Sequence, residues 1–340
     1  MARPAVSVLL PVRDAGRHLE ACLESLARQS FDDFEVVAVD DGSRDGSAAV
    51  LDRWAARDRR FAVLHRPPAG LIAALNAGLE RCRAPLVARM DADDVAAPRR
   101  LELQVRAFAE EPRLDVVSCL VRHVPWQHVG EGFRVYERWL NGLLSHRDIL
   151  RERFIESPIA HPSAMVRRQR LLEVGGYRDR GWPEDYDLWL RLAARGARFA
   201  KVPQVLHFWR EHAGRLTRVD RRYAVERFLE CKAHHLLRGP LRRAPRVIVW
   251  GAGQTGRRLS KHLLRGGAPI AAFVDVDRRK IGRRLRGLPI HDAARLEELR
   301  QPGDDGVVLA AVSSRGARAL IRRRLAAAGL EEGGDFWCVA

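Results

Sequence analysis

The sequence predicts an α/β protein: a mostly parallel sheet flanked by helices, followed by a second, smaller unit of the same kind. Three observations predict it. Short apolar runs alternate with amphipathic helical stripes from the start of the chain. Acidic residues cluster directly after two of those runs. After a stretch rich in Pro and Arg, the alternation begins afresh at residue 246.

Val6–Leu10 predicts the first strand, and Leu19, Cys22, Leu23 and Leu26 then recur at helical spacing. Glu35–Val39 predicts the second strand, with Val50, Leu51 and Trp54 on the next helix face. Phe61–Leu64 is the third, followed by the stripe Leu71, Leu75 and Leu79. Leu86–Met90 is the fourth, and Leu101, Val105 and Phe108 mark the helix that Pro98 opens. Alternation weakens from Cys119 to about Arg170. The stripe Leu188, Trp189 and Leu192 follows Pro183, and a further helix is expected over residues 220–238. Gly239–Pro245 reads as a linker, so the expected domains are 1–240 and 245–340. In such sheets ligands sit beyond the carboxyl ends of the strands, which makes the residues after each strand the ones to weigh.

Composition narrows the function classes. A chain of 340 residues with 46% hydrophobic and 30% charged residues can bury two cores, so disorder is excluded. No apolar run approaches the 18 or more residues of a membrane span. The run before Pro11 and Arg13 is too short for a secretion signal, and five scattered cysteines give neither zinc nor disulfide spacing. A cytoplasmic protein is expected. The net charge of +17 rests on arginine, with only four lysines, and is densest after residue 240. It suits anionic ligands, and a peripheral contact with an anionic inner-membrane face. No specific nucleic-acid partner is expected, because no aromatic-interleaved basic strip accompanies it.

Asp40 and Asp41 leave the second strand and enter Gly42-Ser43, where carboxylates can accept from a base or ribose or simply build a turn. Asp91-Ala92-Asp93-Asp94 leaves the fourth. With strand-like period-two geometry, Asp91 and Asp93 point to one side, and a divalent cation relieves their repulsion; all-oxygen ligands of this kind suit Mg²⁺ or Mn²⁺. Glu184-Asp185 precedes a helical stripe, where a carboxylate either complements the helix dipole or serves as a general base. Trp182 and Tyr186 offer flat faces for a sugar ring or for packing.

Taken in order, these segments resemble glycosyltransferase family 2, the inverting enzymes of the GT-A fold. The matching stretches are Val6-Ser-Val-Leu-Leu-Pro-Val-Arg13, Val39-Asp-Asp-Gly-Ser-Arg-Asp-Gly-Ser47, Ala73-Ala-Leu-Asn-Ala-Gly-Leu79, Ala88-Arg-Met-Asp-Ala-Asp-Asp94, His161-Pro-Ser163, Gly175-Gly-Tyr-Arg178, Glu184-Asp-Tyr-Asp-Leu-Trp-Leu190 and Trp209-Arg-Glu-His212. The resemblance implies that Pro11 and Val12 flank the nucleotide base and that Asp40 or Asp41 binds base or ribose. It implies that Asn76 and Arg89 line the nucleotide-sugar pocket and that Asp91 and Asp93 hold metal and diphosphate. Asp185 would be the catalytic base with Glu184 beside it. His161 and Trp182 would stand on the acceptor side, and Arg210 and His212 would reach the diphosphate from a closing loop. Val12 and Arg13 stand where the family commonly has an aromatic residue or Asn. The implied reaction moves a sugar from a nucleotide diphosphate donor, with UDP-sugar as the prior, to a saccharide or lipid-linked hydroxyl in surface polysaccharide synthesis.

In the second unit a strand over Arg246–Trp250 runs into Gly251-Ala-Gly-Gln-Thr-Gly256, and Asp275 follows the next strand, Ile270–Val274. This is the dinucleotide fingerprint, with Gly251, Gly253, Gly256 and Asp275 as a second nucleotide site for NAD or another nucleotide, or else a tight turn alone. The unit resembles the small nucleotide-binding domain on some sugar-modifying enzymes. Two other readings compete with the transferase. An NAD-dependent oxidoreductase would leave the larger unit's carboxylates without a task, and a basic nucleic-acid-binding protein would not need them.

Overall fold

Runs of Val and Leu such as residues 6–12 and 34–40 become central strands because helices cover them on both faces, so no position is left for water. In the computed structural model, which describes residues 3–300 and 306–340, the chain divides into two compact units. One is made of Met1–Ile149, Pro158–Arg180 and Asp187–Val219, the other of Leu150–Ser157, Gly181–Tyr186 and Asp220–Ala340.

The first unit carries eight strands: β1 (Val6–Val12), β2 (Phe34–Asp40), β3 (Phe61–His65), β4 (Leu86–Arg89), β5 (Val95–Ala96), β6 (Val116–Val124), β7 (Met165–Arg167) and β8 (Phe199–Arg210). Their spatial order is β3-β2-β1-β4-β7-β6-β8-β5. The strands β3, β2, β1 and β4 run parallel, β7 is antiparallel to β4 and β6, and β6 and β8 pair in parallel. Every residue of β1 and β2 is buried. Their even-numbered residues, including Val8, Leu10, Val36 and Ala38, join Leu19 and Leu23 of helix Gly16–Ala27 and Trp54 of helix Ser47–Arg57. Leu101 and Phe108 of helix Arg100–Glu110 belong to the same core. Each such side chain contributes roughly 1.5–3 kcal/mol by leaving water.

The opposite face takes helix Leu71–Arg81, which lies close because Gly78 has no side chain: a Cβ there would collide with Leu9 Cδ1 and come within 2.9 Å of Val39 Cγ2. The chain runs from β1 outward to β3 and then returns to place β4 on the other side of β1. The carboxyl ends of β1 and β4 therefore flank the point where the winding reverses, where open α/β sheets leave a crevice.

The second unit has six strands: β9 (Val247–Trp250), β10 (Ile270–Asp275), β11 (Arg284–Leu285), β12 (Leu288–Asp292), β13 (Val307–Ala310) and β14 (Phe336–Cys338), in the order β11-β12-β10-β9-β13-β14. All but β11 run parallel. Its winding reverses between β9 and β13. Ile248, Trp250, Val274, Val308, Ile321 and Leu325 form its core.

Gly78→Val inserts a branched side chain where the helix touches β1 and β2. It lowers the unfolding free energy by about 1–3 kcal/mol or more, measured by urea denaturation followed by circular dichroism.

Candidate functional site

Asp40 and Asp41 close β2 and Asp91, Asp93 and Asp94 follow β4, the strands on either side of β1, whereas Glu184 and Asp185 fall in the second unit. Pro11 and Val12 end β1 and are buried. Asp40 closes β2: its Oδ1 accepts the Ser43 amide at 3.0 Å and its Oδ2 meets His65 Nδ1 at 2.9 Å. Burial alone would raise this carboxyl, but the bonds from Ser43 and His65 pull it below its ordinary value. The same carboxylate raises the His65 ring, helped by Asp52 on the other nitrogen. Asp41 accepts the amides of Ala69 at 2.9 Å and Gly70 at 2.7 Å, and Arg13 approaches it at 3.3 Å. It thus ties the loop before helix Leu71–Arg81 to the end of β2. Asp45 accepts the Ser47 amide at 3.0 Å and the Ser47 hydroxyl at 2.7 Å, and the Gly16 backbone also bonds to it, so it ties the turn before helix Ser47–Arg57 to the start of helix Gly16–Ala27.

At the end of β4 the geometry differs from the sequence reading. The strand stops at Arg89, and residues 90–94 turn, with the Asp94 amide donating to the Asp91 carbonyl at 3.3 Å. Asp91 and Asp93 are therefore not aligned by period-two pleating. The turn brings in Asp94 instead, so that Asp91, Asp93 and Asp94 each present an oxygen within 4.8 Å of the others. Burial, and Asp93 beside it, push the Asp91 carboxyl up even against the pull of Arg89. Asp94 rises further, through burial and both neighbours.

Strand β8 answers part of this charge. His207 Nε2 lies 2.8 Å from Asp94 Oδ2, and the Arg210 amide donates to Asp94 Oδ1 at 2.7 Å. Burial drives the His207 ring well below its usual value, and burial with the neighbouring carboxylates pushes Asp94 up. Arg210 Nε donates to the Asp93 carbonyl at 2.7 Å, and His212 Nε2 meets Asp93 Oδ2 at 2.7 Å. Arg89, 3% exposed, pairs with Asp91 at 2.6 Å. Arg100 is fully enclosed behind them and donates to the Arg89 carbonyl at 2.7 Å. Hard oxygens, crowded and only partly compensated, fit a small divalent cation.

Other expected residues take different places. Asn76 bridges the Tyr177 backbone, donating to its carbonyl and accepting its amide, both at 2.9 Å. His161 is buried with Nε2 3.1 Å from the Tyr177 hydroxyl, and burial holds its ring well below its usual value, hence neutral. In the second unit Trp182 is 7% exposed and packs on His234. Glu184 opens helix Glu184–Ala194; both its oxygens accept the Tyr223 hydroxyl, at 2.9 and 3.0 Å. Asp185 follows, half-buried, and burial together with the Glu184 charge pushes it up to about 8. Sequence reading missed Asp94, His207, Arg100 and Tyr223. Asp94 was legible in the run Asp91-Ala92-Asp93-Asp94; the other three carry no local signal.

Residues 7–176 match the glycosyl transferase family 2 model. An amylovoran biosynthesis glycosyltransferase of Erwinia amylovora is 34% identical over 203 residues, covering 59% of this chain and 74% of the relative.

This chain belongs to glycosyltransferase family 2.

A putative glycosyltransferase of Bacillus subtilis is 27% identical to this family 2 chain over 298 residues, 85% of the chain and 99% of the relative. A UDP-Gal:alpha-D-GlcNAc-diphosphoundecaprenol beta-1,3-galactosyltransferase of Escherichia coli is 28% identical over 210 residues, covering 60% and 73%. Among solved structures, S. aureus TarS 1–349 in complex with UDP superposes with a TM-score of 0.54 at 17% identity, over 76% of this chain and 71% of that one. The fold is thus shared at low identity, and the larger sheet is of the GT-A kind. Glycosyl transfer is the activity of the family. Among the described residues no helix is long and apolar enough to cross a membrane.

Asp94→Ala strips His207 and the Arg210 amide of their buried acceptor and lowers stability by about 2–4 kcal/mol. Asp93→Ala removes a partly exposed carboxylate from a repulsive cluster and changes stability by less than about 1 kcal/mol. Urea unfolding of the two variants beside wild type separates the buried structural acid from the partly exposed one.

Proposed function

We propose that this chain transfers a sugar from a nucleotide diphosphate donor, a UDP-sugar, to a hydroxyl of a saccharide or lipid-linked acceptor, inverting the anomeric centre, in the synthesis of a surface polysaccharide. The observation that carries the reading is the carboxylate cluster at the β1/β4 switch, with Arg210 and His212 brought onto it by the end of β8. Two relatives bear names that place them in amylovoran biosynthesis and in galactosyl transfer from UDP-Gal to a diphosphoundecaprenol-linked sugar. Their chemistry matches this reading. The expected domain limits, 1–240 and 245–340, remain part of it.

Each residue then has a task. Pro11 and Val12 bound the base, and Asp40 and Asp41 shape the loop that receives base and ribose. Asp91 and Asp93 would hold Mg²⁺ or Mn²⁺, which would supply positive charge to the diphosphate oxygens. Arg89 answers Asp91, and Arg210 and His212 add positive charge near the same oxygens. Asn76 acts at one remove: it fixes the Tyr177 backbone, and Tyr177 in turn meets His161. His161 and Trp182 border the acceptor side. Asp185 accepts the proton of the acceptor hydroxyl as that oxygen bonds to the anomeric carbon; the carbon–oxygen bond to the diphosphate breaks on the opposite face, and the nucleoside diphosphate departs with its electron pair. Glu184, held by Tyr223, keeps the Asp185 carboxyl basic enough to take that proton. Orientation and charge placement supply most of the acceleration.

Asp185→Asn retains donor binding but loses turnover by about 10²–10⁴-fold, read by UDP release with and without acceptor. Equal turnover in this variant removes Asp185 from the role of base. A base must be ionised, so kcat/KM of wild type climbs with pH up to about 8 and levels off above it. Glu184→Gln removes the neighbouring charge and moves the rise to lower pH. Folding lifts the Asp185 pKa above its unfolded value, so its stabilising effect is present at low pH and is lost as pH rises through about 8. Asp185→Asn therefore melts at a higher temperature than wild type in alkaline buffer, by differential scanning fluorimetry.

A further inference from the structure

The second unit holds two cavities that the transfer reaction does not use, and they meet at the start of helix Gln254–Arg265. One, of about 430 Å³, lies at the β9/β13 switch and has an apolar wall of Val276, Val312, Leu320 and Ile321. Val276 is 70% and Leu320 61% exposed, far more than such side chains need to be for the core beneath them. The other, of about 710 Å³, is lined by Arg257, Arg258, Lys261, Lys280 and Arg286. Gly253, Gln254 and Lys280 line both.

The charge in the larger cavity is not balanced internally. Arg258 pairs with Glu226 at 3.0 Å, and Lys280 with Asp275 at 3.2 Å. Arg257, Lys261 and Arg286 meet no carboxylate among the described residues. Arg286 sits at φ 53°, before Gly287 at φ 78° in the two-residue turn from β11 to β12, a position that favours Asn or Gly over a long cation. Arginine stands there with its side chain on the cavity wall.

The glycines separate structural from ligand needs. Gly256 is required by packing, since a Cβ would fall on the Gly251 carbonyl. Gly251, at φ +117°, would press a Cβ against the Ala311 carbonyl at 2.9 Å. Gly253 has an ordinary φ of −81°, and a Cβ there would meet nothing within 4 Å. The fold does not call for glycine at 253, whereas a ligand passing from one cavity to the other crosses its open side. Asp275 is committed to the loop: it accepts the amides of Ala252 at 2.8 Å and Asp277 at 2.9 Å.

From this we infer that the second unit binds a nucleoside polyphosphate, independently of the transferase site. Its base rests on the apolar wall by Val276 and Leu320. Its phosphates cross Gly253 onto the first-turn amides of the helix, which have no intrahelical acceptors. The far end of the phosphate chain, or a further phosphate on the nucleotide, is met by Arg257, Lys261 and Arg286. A nicotinamide ring, cationic in NAD⁺ and neutral in NADH, would leave those three cations unanswered, which favours phosphate-rich ligands over NAD.

The test uses the full chain carrying Asp91→Ala and Asp93→Ala, so that the donor site is disabled, in EDTA. Isothermal titration compares AMP, ADP and ATP, UMP, UDP and UTP, and NAD⁺ with NADP⁺. Affinity is expected to rise along one mono-, di-, triphosphate series or from NAD⁺ to NADP⁺; which series responds names the ligand. Adding Arg257→Glu and Lys261→Glu is expected to weaken it about tenfold or more. Gly253→Val, whose Cβ enters open space on the ligand's path, is expected to abolish it while the chain stays folded, its melting temperature lowered by no more than a few degrees because Val is a poorer helix N-cap than Gly. The inference is overturned if none of these nucleotides binds at millimolar concentration, or if binding is unchanged by both the charge reversals and Gly253→Val. Because the donor site is already disabled, either result leaves the proposed transfer reaction standing, and loss of transfer elsewhere leaves this site standing.

Discussion

Like charges crowded at the exit of one strand are the constraint on which the larger unit depends. Asp91, Asp93 and Asp94 bring carboxylate oxygens within 4.8 Å of one another in partial burial, where each added negative charge raises the free energy of the others. The protein answers this unevenly. Asp94 is hydrogen-bonded by a buried histidine and a backbone amide from β8, and Asp91 is paired with an arginine that is itself buried. Asp93 keeps a histidine at a part-exposed edge. The uneven answer makes Asp94 the anchor of the turn; the cation proposed above would fall to Asp91 and Asp93. The long strand β8, one in from the sheet edge, is tied to the turn through His207 and Arg210, so the strand's end and the acid cluster stand or fall together.

Much of the fold was legible because periodicity is local. Val6–Val12 and Phe34–Asp40 are mostly apolar, and helices such as Gly16–Ala27 announce themselves by spacing alone. The acids after β2 and β4 were legible for the same reason: they sit next to their strands in the sequence. Their geometry was not. Period-two pleating was the natural expectation for Asp91 and Asp93, but the strand ends at Arg89, and the turn that follows recruits Asp94.

What sequence reading could not supply is pairing across distance. Asp94 and His207 are 113 positions apart, and Asn76 and the Tyr177 backbone 101. Nothing in the neighbourhood of either partner announces the other. Arg89 was readable as a buried cation in need of an anion, and its anion is Asp91, two residues on. Glu184 and Tyr223 pair across 39 positions that include a helix and the whole of β8. In each case the residue type was visible and the partner was not, and the partner decides whether a side chain positions the backbone or faces a ligand.

The claim that bears the most weight is that the acid cluster takes up a divalent cation together with the donor's diphosphate. Electron paramagnetic resonance of free Mn²⁺, titrated into the full chain with and without UDP, measures it directly. The account predicts about one Mn²⁺ per chain, held more tightly when UDP is present, and lost in Asp93→Asn. Uptake that is indifferent to UDP and equal in wild type and Asp93→Asn would contradict it.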